Sequence, residues 1–182
     1  LVMSGGWSPA VHLHSQSGGR NTWDDNLVCF VPDKTSQACV SAGASNGKWT
    51  LADCLADSAR AGREVIHALG LKAANIELPV LVTRSANPLQ ALWRVPALSN
   101  PDRCPKQFVD FQNDTSVADI RLAFREGYRN IEHVKRYTAL GFGTDQGKLG
   151  NINGMAVLAE TLGASIPEVG TTTFRPPYTP VS

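Results

Sequence analysis

Five prolines between residues 76 and 105 constrain the fold of this chain more than any other feature of its sequence. They are Pro79, Pro88, Pro96, Pro101 and Pro105. Proline fixes φ and lacks a backbone N–H, so this spacing forbids a long helix or a central strand. Apolar residues, among them Leu81, Leu92 and Trp93, are interleaved with the prolines. We therefore expect residues 76–105 to be a linker that lies on a surface and joins two folded segments.

The first segment, residues 1–75, is expected to form strands and then a helix. Short apolar runs predict strands at 1–3, at 27–31 and at 38–43, the last one parallel and covered on both faces. Apolar residues then recur at near-helical spacing from Leu51 to Leu69. Thr50 is the predicted cap of this helix, and Gly70 is its predicted end.

The second segment, residues 106–165, is expected to be mostly helical. Three helices are predicted, at 117–126, 131–140 and 151–162. The first has its cap among Asp114, Thr115 and Ser116, and glycines end each helix. Residues 166–182 contain Pro167, Pro176, Pro177 and Pro180 and are predicted to be extended.

Composition excludes several classes of protein. The chain has 182 residues, 42% of them hydrophobic, and a formal net charge of +1, which argues against a polybasic nucleic-acid binder and a disordered linker. No apolar run approaches the roughly 20 residues of a membrane span. Four cysteines match no zinc or redox spacing, so we expect reduced thiols in a cytoplasmic protein. The sequence begins without a Met or a signal peptide, and we expect it to be an internal piece of a longer protein.

Two regions are candidates for binding a phosphate group. The predicted helix after Gly43 would present N–H groups and partial positive charge at its start, although an ordinary strand-to-helix turn has the same pattern. Lys135, Arg136 and Lys148 would bind a phosphate if they converge, and would otherwise form a solvated face.

Other polar pairs point to chemistry less directly. His12 and His14 would share one face of a strand, but a metal site needs a third ligand. Asp24 and Asp25 are adjacent carboxylates, which point apart on a strand. We expect structural or surface roles for both pairs.

The stretch from Ala38 to Leu69 resembles the closing strand and helix of the FAD/NAD(P) two-dinucleotide-binding oxidoreductases. That family usually has Gly-Asp at the strand end, where the Asp binds the flavin ribityl chain. This sequence has Gly43-Ala44. The resemblance therefore implies NAD rather than FAD here, with Ala44, Trp49 and Leu51 as the binding residues.

A second resemblance covers essentially the whole chain. Its motifs are SGGWSPAVHLH from Ser4, FVDFQND from Phe108, HVKRYT from His133, TDQGK from Thr144, NING from Asn151 and PEVGTTTFRPPYTP from Pro167. In this order they resemble the alpha subunits of heterotetrameric sarcosine oxidases.

That resemblance implies an α+β fold. Residues 1–75 would be the end of an NAD-binding Rossmann-like domain, and residues 106–165 a helical module like bacterioferritin-associated ferredoxin. Residues 166–182 would be an extended connection to an aminomethyltransferase-like domain. In that ferredoxin-like fold four cysteines bind a [2Fe–2S] cluster. The corresponding positions here are Asp110, Gln112, Asp145 and Gly150, so the resemblance implies the fold without the cluster.

The resemblance also implies an enzyme complex. Such complexes oxidise sarcosine to glycine, transfer the one-carbon unit to tetrahydrofolate and form hydrogen peroxide. FAD would lie in a beta subunit and FMN at the alpha–beta interface, with gamma and delta subunits completing the heterotetramer. The amine-oxidising site would lie outside this chain. The resemblance assigns this chain's part in binding FMN to four residues, Lys135, Arg136, Gln146 and Lys148.

Two alternatives remain open at this point. The chain would also suit the corresponding subunit of N-methylglutamate dehydrogenase or of an opine oxidase-like complex, although opine oxidases and hydrogen cyanide synthases keep the cluster cysteines. A non-catalytic assembly module, with exposed apolar linker residues such as Leu92, is the second alternative.

Overall fold

The computed structural model describes residues 6–82, 88–97, 100 and 103–175. The chain divides into two compact units, Leu1–Leu89 and Gln90–Ser182. The boundary falls inside the proline-containing range 76–105. The described residues of that range contain no helix and no strand. In the second unit, Arg94 holds the chain to the surface through a two-pronged ion pair with Glu160, at 2.9 and 2.5 Å.

The first unit begins with a short helix and a hairpin. Helix α1 spans His12–Gln16, and strands β1 (Asn21–Asp24) and β2 (Cys29–Pro32) pair antiparallel. The ring of Trp23 meets that of Phe30 edge-on, with centroids 5.0 Å apart. Strand β2 confirms the strand predicted at 27–31, shifted by two residues at its start. The strand predicted at 1–3 lies outside the described residues.

The strand predicted at 38–43 is wrong. Residues 39–42 are irregular, and Gly43–Asn46 form a 3₁₀ turn. The N–H of Cys39 donates to the carbonyl of Gln37 at 2.8 Å, a tight local turn that no strand ladder permits. A run of small residues with a single β-branched member, Val40, packs too little surface to hold a neighbouring strand. The predicted parallel sheet is therefore absent from the described residues, where β1 pairs only with β2.

Helix α2 follows as predicted and spans Leu51–Ala68. The Thr50 side chain accepts a hydrogen bond from the Asp53 N–H, which confirms the cap, and Gly70 follows with φ of +72°. The predicted apolar face is not buried among the described residues, since Leu51 and Leu69 are 65% and 69% exposed. Asp57 and Ala61 are the buried residues of this helix instead.

The second unit contains a small hairpin and three helices. The hairpin joins β3 (Phe108–Asp110) to β4 (Thr115–Ser116), and sequence patterning did not predict it. Helices α3 (Val117–Arg125), α4 (Ile131–Thr138) and α5 (Asn151–Leu162) confirm the three predicted helices. The largest fully buried apolar side chains of this unit are Ile120, Ile131, Val134, Leu140, Val157 and Leu158.

The ends of these helices follow local capping chemistry. Ser116 and Asp119 form a reciprocal capping box at α3, and the Asn130 side chain caps α4. Helix α4 stops two residues earlier than predicted because Ala139 turns into the left-handed region at φ of +59°. Gly163 ends α5 at φ of +66°.

The segment predicted to be extended from residue 166 begins differently. Ile166–Val169 form a 3₁₀ turn stabilised by a second capping box, between Ser165 and Glu168. Residues 170–175 then run without helix or strand. Residues 176–182 of that prediction lie outside the described residues. Among the helices that are described, none combines the length and apolar character needed to cross a bilayer.

Candidate anion site

The second unit contains a cavity of about 370 Å³ lined by charged side chains. Its lining residues are Glu132, Lys135, Arg136, Gly141, Phe142, Gln146 and Arg175. Three of them are cationic and one is a carboxylate. The structure therefore brings together three residues that the sequence singled out, namely Lys135, Arg136 and Gln146. Lys148, the fourth, is not among the lining residues.

Helix α4 supplies three of the charged groups. Positions i, i+3 and i+4 of a helix lie on one face, so Glu132, Lys135 and Arg136 are neighbours. Lys135 Nζ lies 3.9 Å from Glu132 Oε1, and an Arg136 guanidinium nitrogen lies 3.8 Å from Glu132 Oε2. One carboxylate is thus shared between two cations at long distances.

Lys135 is buried, which is unusual for lysine. The residue is 5% exposed; its Nζ donates to the carbonyl of Thr173 at 3.3 Å and lies 5.7 Å from the centre of the Phe142 ring. Burial lowers the pKa of Lys135; the Glu132 carboxylate opposes that change, and Arg175 and Arg136 add to it. The ammonium is therefore only partly compensated by the groups around it.

Arg175 is the cationic residue of the cavity that sequence reasoning missed. It follows Thr172 and Thr173, which are held by side chains of the helices. The Thr173 N–H donates to Glu132 Oε1 at 2.9 Å, and Asn151 Nδ2 donates to Thr172 Oγ1 at 2.9 Å. Arg175 lies 40 positions from Lys135 along the chain, so no local pattern connects them.

The loop after α4 forms another wall of the cavity, and Asp110 holds it. One carboxylate oxygen of this buried residue accepts from the Gly141 N–H at 2.6 Å. The other oxygen accepts from the N–H groups of Gln112 and Asn113 at 2.8 and 3.3 Å. Farther along the loop, the Gln146 side chain donates to the Gly143 carbonyl at 3.0 Å.

The four positions that correspond to cluster cysteines also converge. Gln112 Oε1 accepts from the Asp145 N–H at 3.2 Å, and a Cβ at Gly150 would lie 3.4 Å from Asp110 Cβ. These carboxylate and amide oxygens are tied up in hydrogen bonds and are poor ligands for an iron–sulfur cluster. The residues present therefore do not fit such a cluster. Across the described part of the chain, no three His, Cys, Asp or Glu side chains are grouped to hold a metal ion.

The predicted nucleotide-binding residues lie in the first unit, around the 3₁₀ turn and the start of α2. Ala44 is part of the turn, Trp49 is 38% exposed and Leu51 opens the helix. Asp57 of α2 holds the turn because its Oδ2 accepts from the Gly43 N–H at 2.9 Å. The three predicted residues thus occur on one short, exposed stretch of chain.

Asp57 is itself held in its charged form. Burial raises the pKa of Asp57, but hydrogen bonds from Arg60, Gly43 and Asn46 outweigh that effect and lower it below its usual value. Arg60 reaches the other oxygen, Oδ1, at 2.7 Å. The carboxylate is therefore a fixed anchor for the turn that carries Ala44.

The remaining polar pairs of the first unit lie in a short helix and in the hairpin. His12 and His14 are buried in a helix, not on a strand, and His14 Nε2 lies 2.9 Å from the carbonyl oxygen of Arg20. Asp24 accepts from two N–H groups of the hairpin turn, and Asp25 accepts from the Trp23 ring N–H at 2.8 Å. All four cysteines are free thiols.

Comparison with known proteins finds similarity to the alpha subunits of sarcosine oxidases. Residues 104–182 match the model of the sarcosine oxidase A3 domain. The whole chain is 40% identical over 186 residues to the sarcosine oxidase subunit alpha of Rhizobium meliloti (strain 1021), and 40% identical over 185 residues to that of Corynebacterium sp. (strain U-96). It spans 18% and 19% of the length of these relatives.

A solved structure of another protein shares the fold. The crystal structure of L-proline dehydrogenase from P. horikoshii matches this chain with a TM-score of 0.66 and 16% sequence identity. The match covers 97% of this chain and 37% of the dehydrogenase chain. The shared fold is consistent with the α+β architecture. Over its full length the chain is similar to sarcosine oxidase alpha subunits at 38–40% identity, and its residues 104–182 match the sarcosine oxidase A3 domain.

Proposed function

We propose that this chain is a segment of the alpha subunit of a heterotetrameric sarcosine oxidase that binds cofactors rather than carrying out amine oxidation. The proposed reaction converts sarcosine, tetrahydrofolate and oxygen to glycine, 5,10-methylenetetrahydrofolate and hydrogen peroxide. Identity of 38–40% over the whole chain to alpha subunits supports it. Beta, gamma and delta subunits and a cytoplasmic location are part of the proposal, with FAD in beta and folate bound in a C-terminal domain.

The cationic cavity of the second unit is the proposed contact with the FMN phosphate. Lys135, Arg136 and Gln146 are the residues assigned to it, and Arg175 joins them. Three cations around one carboxylate leave a local charge that a phosphate dianion would balance. Lys135 is buried and incompletely paired, so an anion would also offset its desolvation. When bound, FMN supplies electron-accepting chemistry at the interface between alpha and beta.

Lys148 has a weaker place in this proposal. It follows Gly147 in the loop that carries Gln146, and its N–H donates to the Asp145 carbonyl at 3.2 Å. Its side chain does not line the cavity. We keep Lys148 as a residue at the loop margin, where it would contribute long-range attraction rather than a direct contact.

NAD is proposed to bind at the exposed turn of the first unit. The start of α2 offers backbone N–H groups and the positive end of the helix dipole. Ala44 lacks a side chain beyond Cβ and permits close approach, Trp49 would cover a ring or ribose, and Leu51 would offer its N–H. The bonds from Asp57 to the turn support this proposal, because they hold the turn in one conformation before a ligand arrives.

The test is cofactor content of the full complex containing this chain. We expect Lys135→Ala to lower the FMN released on denaturation while the NAD content stays unchanged. Lys106→Ala, an exposed lysine of the same unit, is the matched control. Unchanged flavin in Lys135→Ala would refute the FMN assignment, and stoichiometric iron in the wild-type complex would refute the proposed absence of a cluster.

A non-catalytic assembly module is the second candidate. Leu92 is 68% exposed, and Leu51 and Leu69 leave apolar surface on α2, which suits a subunit interface. This candidate predicts a complex whose alpha chain releases neither FMN nor NAD. Assembly alone would then not identify the amine that the complex oxidises, since a sister complex such as N-methylglutamate dehydrogenase would assemble in the same way.

A further inference from the structure

Three described hydrogen bonds attach the segment 171–175, here called the strap, to the helices. Thr173 makes two of them, donating its N–H to Glu132 at 2.9 Å and accepting from Lys135 Nζ at 3.3 Å. Asn151 makes the third, to Thr172. Two residues of α4 therefore line the cavity and also hold the strap.

The cations of the cavity are divided between these two elements. Lys135 and Arg136 belong to α4, whereas Arg175 belongs to the strap. Without an anion, Arg175 adds to the positive charge around Lys135. An anion in the cavity would face cations from both elements and would therefore bridge the strap to α4.

We infer that docking of the strap and binding of a phosphate-type anion are thermodynamically coupled, with Glu132 as the positioning residue. The inference rests on the proposed anion site and adds to it a condition for binding. Glu132 keeps the strap in place through the Thr173 N–H while placing one negative charge in the cavity. Coupling of this kind is reciprocal, so the anion also tightens the strap.

Glu132 therefore has two opposing effects on an anion. Its charge repels the anion, and its hydrogen bond holds Arg175 where the anion needs it. Glu132→Gln removes the charge but keeps a carbonyl oxygen for the Thr173 N–H. Glu132→Ala removes both, so the two variants separate the effects.

Binding of inorganic phosphate to the full-length subunit, measured by calorimetry, is the first assay. We expect Glu132→Gln to bind several-fold more tightly than wild type, because one repulsive charge is gone. Glu132→Ala should bind about tenfold more weakly than Glu132→Gln, because the hydrogen bond that holds the strap at the Thr173 N–H is lost. FMN should compete with phosphate, and riboflavin should not.

Amide hydrogen exchange at Thr173 is the second assay, because its N–H reports on the docked strap. Phosphate at ten times its Kd should slow this exchange about tenfold, while the Gly43 N–H in the other unit stays unchanged. Arg175→Ala should weaken phosphate binding and abolish the response at Thr173. Because Arg175 is exposed, this variant tests the coupling even if Glu132→Ala fails to fold.

The outcomes separate the inference from the proposed function. Equal phosphate affinity in the two Glu132 variants, or unchanged Thr173 exchange in wild type that binds phosphate, would overturn the coupling alone. Absence of both phosphate and FMN binding in wild type would overturn the coupling and the anion site together.

Discussion

Gly154 in α5 offers a sharp test of how tightly the helical unit is packed. A Cβ added there would overlap Leu140 Cδ2 and lie 3.3 Å from Cδ1 and 3.5 Å from Cγ. Leu140 is fully buried, so its side chain has little room to move. Replacing helical glycine by alanine normally gains about 1 kcal/mol, whereas forcing a methyl group into a full core costs about 1–3 kcal/mol. We expect Gly154→Ala to be neutral or to destabilise the unit by up to about 2 kcal/mol.

A second background isolates the contact between these two residues. Leu140→Ala alone should cost about 2–5 kcal/mol, because it leaves a cavity. It also removes the atoms that meet the new methyl group, so Gly154→Ala should be stabilising by about 1 kcal/mol in that background. The coupling between the two substitutions is therefore expected to be about 1–3 kcal/mol.

Hydrogen exchange of the α5 amides in the full-length subunit measures these free energies of opening. Gly62→Ala in α2 is the matched control, since nothing lies within 4 Å of the added Cβ. Gly62→Ala should slow hydrogen exchange of the α2 amides only by the factor expected from the higher helix propensity of alanine, about 1 kcal/mol. An equal effect of Gly154→Ala in both backgrounds would refute the packing argument.

Three further predictions concern single groups. Asp57→Asn should destabilise the first unit by about 2 kcal/mol at neutral pH through the loss of its charge-assisted bond to Arg60. Because the pKa of Asp57 is lowered in the folded protein, this difference should shrink as the pH falls below the ordinary range of an aspartate and disappear only once the pH is below the lowered pKa. A pH-independent difference in thermal unfolding would contradict this prediction. Burial, with a smaller contribution from the carboxylate of Asp24, raises the pKa of Cys29 to about 11. Alkylation of the native protein at pH 8 should therefore leave this thiol unmodified until the protein unfolds. Rapid labelling of Cys29 in the native protein, measured by mass spectrometry, would contradict this prediction. Asp110→Asn should lower the free energy of unfolding in urea by about 1–3 kcal/mol. Both carboxylate oxygens of Asp110 accept hydrogen bonds, whereas an amide has one oxygen and would turn an N–H group toward the Gly141 N–H. An unchanged urea midpoint would show that other contacts hold the loop.

Helix ends were predictable because their chemistry is local. Thr50 was the predicted cap of α2 and Ser116 one of three candidate caps of α3, and each accepts a hydrogen bond from an N–H three residues ahead. The predicted strand at 38–43 failed for the opposite reason. A strand needs a partner, and apolar character in one segment says nothing about whether a partner is present.

The cavity was predictable in part. Lys135 and Arg136 lie one helical turn from Glu132, so their grouping follows from α4 alone. Gln146 was chosen through the family resemblance, and the Asp110 bond to Gly141 explains why its loop closes on the helix. Predicting that Arg175 lines the cavity would have required knowledge of the path of the strap. That path depends on hydrogen bonds between residues 38 and 41 positions apart in the sequence.

The burial of Lys135 argues against the interpretation of this helix face as merely solvated. A solvated lysine keeps its charge in water at no cost, whereas this one is 5% exposed and its pKa is lowered by desolvation. The nearest carboxylate oxygen lies 3.9 Å away and its carboxylate also serves Arg136, so the protein's own groups do not offset that cost fully. A chain with a net charge of only +1 has thus placed three cations around one cavity, and one of them, Lys135, is buried. Packing alone would be served better by an apolar side chain there, and the proposed anionic ligand would make the arrangement favourable.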